Sequence, residues 1–96
     1  MEKCDSQITY FATAQKIISA LKYEFDSHDF LMTFILIDTL SYLGLLKRCG
    51  SVEIAHQQIG QFLSNHSTEL KIEKVGDIDS ENIFGKINKC ALWRKQ

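Results

Sequence analysis

Asp77, Asp79 and Glu81 stand at alternate positions, the acidic spacing with which a calcium-binding EF-hand loop opens. Such a loop also needs glycine at its sixth position and a bidentate glutamate at its twelfth, and here those are Asn82 and Asn88. Losing that glutamate removes two oxygen ligands, so Gly76 to Ser80 reads as a polar turn. His28, His56 and His66, with Cys4, Cys49 and Cys90, are a second set of ligand types. No pair has the C-x2–4-C or H-x3–5-H spacing of a local zinc clip. A site could form from them only by tertiary convergence, and capping or surface roles are the expectation. An odd number of cysteines without CxxC fits reduced thiols and a cytoplasmic chain.

Nucleophilic and phosphate chemistry leave no local trace. There is no strand–turn–helix nucleophile elbow, no HExxH, and the five glycines are scattered at 44, 50, 60, 76 and 85. The sequence therefore assigns no catalytic, cofactor-binding or metal residue, no small-molecule substrate and no enzymatic activity.

Recognition chemistry is better represented. Gln57, Gln61 and Asn65 recur every fourth residue, with Ser64 beside them, so they share one face of a helix. Gln and Asn can bond bidentately to adenine in the major groove. Glu53 is the only charged residue from Cys49 to Thr68 apart from histidine, so that face lacks the cations that supply affinity for phosphates. Lys86, Lys89, Arg94 and Lys95 could provide them: the last eleven residues carry four cations and no acid, on a chain of net charge −1. Trp93 within that run reads as an anchor closing the core, its indole N–H bonded to a carbonyl.

Three helical segments must position these residues. From about Ser6 to Phe25, the residues Phe11, Ala14, Ile18, Leu21 and Phe25 form one stripe, extended by Ile8, with Asp5 or Ser6 as N-cap. Ser27 is the expected cap of a second helix running to about Arg48, ended by Gly50, with Asp29 in its first turn. Gly44 inside it costs about 1 kcal/mol against alanine and suggests a close backbone approach. A third helix runs from Ser51 to about Asn65, burying Val52, Ala55, Ile59 and Phe62, with Leu63 beside them.

Leu70 to Val75 alternates as a short strand. Cys90 to Arg94 reads as its returning partner; the alternative is a fourth helix from Glu81 to Arg94, giving an all-α domain. The fold expected is a mostly α single domain of 96 residues, three helices followed by a short C-terminal β-hairpin. That is the element order of a winged helix, as analogy alone.

Phe30 to Ile37 is apolar at seven of eight positions, so the second helix has apolar side chains beyond what two neighbours cover. Phe30, Leu31, Phe34 and Ile35 are the expected association surface, giving a homodimer or a contact with another protein. A membrane span is not expected, because Asp38 interrupts a stretch shorter than the roughly 20 apolar residues required. The leading expectation is a non-enzymatic binding module that self-associates through residues 28–48; the alternative is a DNA-binding regulator.

Overall fold

The computed structural model describes residues 7–96, with side chains from residue 11 onward. Asp5, Ser6, Cys4 and the side chain of Ile8 lie outside the described residues. The chain is an α+β unit: α1 (Gln7–Ala20), β1 (Glu24–Asp26), α2 (Ser27–Ile37), α3 (Thr39–Cys49), α4 (Val52–Asn65), α5 (Ser67–Leu70), β2 (Ile72–Glu81) and β3 (Ile87–Lys95). The strands form one antiparallel sheet in the order β1-β3-β2. Residues 81–95 are thus not a helix, and the all-α alternative is excluded.

The first helix ends at Ala20, five residues before the end of its hydrophobic stripe. Phe25 still reaches the core, but from β1, directly opposite Trp93 of β3. Both side chains are 2% exposed. Burial rewards the apolar side chain whichever element delivers it, so helical spacing could not mark the end of the helix.

The expected second helix is two helices. Asp38 divides α2 from α3, and the chain bends by 111° between them. Its backbone leaves the helical region (φ −139°, ψ 66°), and its carboxylate accepts from the Ser41 N–H and hydroxyl, capping α3. An aspartate able to bond nearby backbone competes with helix continuation in this way. At the other end of α2 the cap is Asp26 rather than Ser27. Asp26 Oδ1 accepts from the Asp29 N–H at 2.8 Å, and Asp29 Oδ2 accepts from the Asp26 N–H at 3.1 Å. The bend folds α3 back toward α4, and Gly50 in the left-handed region (φ 73°) turns the chain between them.

The hairpin is longer than its sequence suggested. The segment Gly76 to Ser80 is paired strand, with a bulge between Lys74 and Gly76. The turn falls at residues 82–86, where Asn82 Oδ1 accepts from the Phe84 and Lys86 N–H groups and Gly85 takes φ 79°. Leu70 ends α5 and Lys71 is left-handed, so the strand begins only at Ile72.

The core gathers Ala14, Ile17 and Ile18 of α1, Phe30, Leu31 and Phe34 of α2, Tyr42 and Leu45 of α3, and Ala55, Ile59, Phe62 and Leu63 of α4. Leu70 of α5 and Phe25, Ile72 and Trp93 of the sheet close it. Val52, expected in the buried stripe of α4, is exposed. Trp93 is the anchor expected of it, although its indole N–H donates to Ser27 Oγ at 3.2 Å rather than to a carbonyl. No single helix among the described residues is long and apolar enough to cross a membrane.

Candidate functional site

Ser51 starts α4 by accepting from the Ile54 N–H, and the polar face of the helix stays outside. Gln57, Gln61, Ser64 and Asn65 are all exposed on it, while Gln58 is half-buried. The hairpin reaches this helix at its turn. Phe84 stacks on His56 with ring centroids 6.2 Å apart and planes at 26°. Tyr42 also meets His56, its hydroxyl 2.7 Å from Nε2. Burial, together with the nearby His28, holds the His56 imidazole below its ordinary pKa, and burial raises that of Tyr42.

The four C-terminal cations divide between two places. Lys86 and Lys89 are exposed at the turn end of the hairpin. Arg94 donates from Nε and Nη2 to Glu24 Oε2, at 3.0 and 2.8 Å. Glu24 accordingly raises the Arg94 pKa. Lys95 donates to the Leu21 carbonyl at 2.6 Å. Eight residues of strand separate Lys86 from Arg94, about 26 Å at 3.3 Å per residue. Strand geometry thus spreads the four cations along β3 and the turn before it. Lys86 and Lys89 remain beside the end of the sheet that meets α4.

Of the expected association surface, Phe30, Leu31 and Phe34 are in the core, and Ile35 is partly buried against it. The apolar residues that α2 and α3 leave outside are Met32, Leu36, Ile37, Leu40 and Leu43. Leu36 and Leu40, on either side of Asp38, are 77% and 82% exposed. Spacing alone could not separate the two sets, since the whole run is apolar and the bend at Asp38 decides which side faces inward.

A second polar cluster lies where α2 begins under the hairpin. His28 Nδ1 is 2.6 Å from Ser80 Oγ and 3.6 Å from Cys90 Sγ, and Ser80 Oγ is 3.5 Å from the same sulfur. Asp26 completes a group with His28 and Cys90 in which one potential ligand atom of each lies within 4.8 Å of the others. Tertiary convergence brings these three ligand types together, with His28 and Cys90 62 residues apart in sequence. The sequence held no local signal for it. The acidic triplet Asp77, Asp79 and Glu81 lies in β2 and forms no loop.

The described residues also line a small, partly open apolar pocket of about 20 Å³, formed by Ala14, Ile17, Phe30, Phe34, Ile59 and Phe62 among others.

Comparison of the chain with protein-family models, curated proteins and solved structures finds no match.

Proposed function

We propose that this chain is a winged-helix-type nucleic-acid-binding module, with α4 as the recognition helix and the β2–β3 hairpin as the wing. The observation that carries this reading is the connectivity. One helix and one short strand precede the central helices, the hairpin follows them, and the returning strand β3 sits in the middle of the sheet. In that arrangement α2 and α3 together take the place of a single helix. The tight turn at Gly50–Ser51 then joins the two arms of a helix-turn-helix. The second helix of such a pair enters the major groove, and α4 presents Gln57, Gln61, Ser64 and Asn65, which can read base edges.

Charge sets the expected affinity. Lys47 at the end of α3 and Lys86 and Lys89 on the hairpin flank α4, whereas Asp77, Asp79 and Glu81 on β2 oppose phosphate binding. If the three lysines each neutralise one phosphate, log K falls with log salt at a slope of about −2.7. Fluorescence anisotropy with labelled random duplex DNA, at low and physiological salt, tests this. The expected result is weak, salt-sensitive binding whose slope drops by about two in the Lys86→Gln, Lys89→Gln double variant. Flat anisotropy at low salt would overturn the reading.

A second reading, self-association, draws on a separate observation: Leu36 and Leu40 stand almost fully exposed around the α2–α3 bend. An apolar surface of that kind suits a two-fold homodimer or another protein partner. The two readings are compatible, because helix-turn-helix proteins commonly bind paired half-sites as dimers.

A further inference from the structure

We propose that Asp26, His28 and Cys90 form a zinc site that staples the hairpin to the start of α2. The ligand atoms come from three places: the cap between β1 and α2, the first turn of α2, and the middle of β3. Zinc bonds of about 2.3 Å to sulfur and 2.0–2.1 Å to nitrogen, at a tetrahedral angle, place the two atoms about 3.6 Å apart. Cys90 Sγ and His28 Nδ1 are 3.6 Å apart. The same separation serves a thiol–imidazole hydrogen bond when no metal is present, so the pair needs no rearrangement to exchange one for the other.

Asp26 supplies the third ligand. Its side chain is buried, 8% exposed, and Oδ1 caps α2. A carboxylate oxygen of Asp26 lies within 4.8 Å of the His28 and Cys90 ligand atoms, so the aspartate can coordinate a cation while it continues to cap α2. Ser80 Oγ, 2.6 Å from His28 Nδ1, is too close for a co-ligand and acts as a hydrogen-bond partner that yields to the metal.

One sulfur, one nitrogen and one oxygen suit a borderline ion such as Zn2+ and disfavour calcium or magnesium, which take oxygen ligands. Three protein ligands leave a fourth position for water. On binding, the Cys90 S–H bond breaks, its electron pair forms the sulfur–zinc bond, and the proton leaves to solvent. Linking residues this far apart in sequence, the metal holds the folded chain against the unfolded one. The inference does not depend on nucleic-acid binding by α4.

Cobalt(II) titration of the purified, reduced chain tests the site by absorption, since thiolate ligation gives a charge-transfer band and tetrahedral coordination gives intense visible bands. Both are expected to saturate at one equivalent, to be displaced by Zn2+, and to persist in the Cys4→Ser, Cys49→Ser double variant. Cys90→Ser should abolish the charge-transfer band, and His28→Gln should weaken binding at least tenfold. Absence of the band in the wild-type chain, or its survival in Cys90→Ser, would overturn the proposal. Should Cys90→Ser fail to fold, His28→Gln decides: unchanged cobalt affinity overturns it.

Discussion

The Tyr42 hydroxyl meets His56 Nε2 at 2.7 Å, so α3 and α4 are joined by a polar contact within a largely apolar interface. When the imidazole is neutral with its proton on Nδ1, the hydroxyl donates to Nε2. Phe84 stacks on the same ring, which gives this one histidine a part in both the helix pair and the hairpin.

Stability should fall on mild acidification. Burial depresses the folded pKa of His56 below its ordinary 6.5, so the unfolded chain binds the proton more tightly. The histidine's contribution is complete above 6.5 and is lost as pH falls from there through the folded value. Thermal melts between pH 8 and 5 should show this decline, and His56→Gln should flatten it.

Asp38→Ala should cost about 1 kcal/mol, the ordinary value of a lost N-cap, whereas Asp38→Asn should retain most of the capping. The hydrogen bond from Ser41 lowers the Asp38 pKa below its ordinary 3.8. The contribution is therefore present above 3.8 and disappears as pH falls through the folded value. Urea denaturation at pH 7 and pH 3 measures both effects.

Two glycine-to-alanine changes should have opposite signs. An added Cβ at Gly44 meets only Arg48 Nη1, at an ordinary 3.5 Å, so Gly44→Ala should stabilise by up to about 1 kcal/mol through helix propensity. Among the described residues, the close backbone approach suggested by its position is not present. Gly50 has φ 73°, where a side chain is strained, so Gly50→Ala should destabilise by about 1–2 kcal/mol. Denaturant midpoints compare the two.

Trp93→Ala should destabilise by about 3–5 kcal/mol, the range for removing a buried aromatic side chain. Ser27→Ala removes only the acceptor of the indole N–H and should cost about 1–3 kcal/mol, the penalty for an unpaired buried donor. Equal losses in the two variants, measured by denaturant unfolding, would contradict the placement of Trp93 as the larger packing element.

Leu40→Glu should leave the fold intact, since this side chain is 82% exposed, and should shift any self-associated species toward monomer in sedimentation velocity. Leu45→Glu, at a buried position of the same helix, should instead unfold the chain.

Local chemistry by itself determined the existence of most elements here: the stripe of α1, the Ser51 cap and buried row of α4, the polar face carrying Gln57 and Gln61, and a strand at each end of the C-terminal segment. These are legible because side-chain period and capping act over one or two helical turns. The alternation of β2, broken by its bulge, was legible only in part, and a turn-like composition at Gly76–Ser80 hid paired strand. Tertiary structure decided the rest. Within a run as uniformly apolar as Phe30–Ile37, no period distinguishes Phe34 in the core from Leu36 outside; the bend at Asp38 does. β1 is only three residues long and owes its strand character to pairing with β3 across about 70 residues of chain. The Asp26, His28 and Cys90 cluster has the same origin: its members meet only after that pairing brings β3 over the start of α2, a relationship between distant residues that no local spacing encodes.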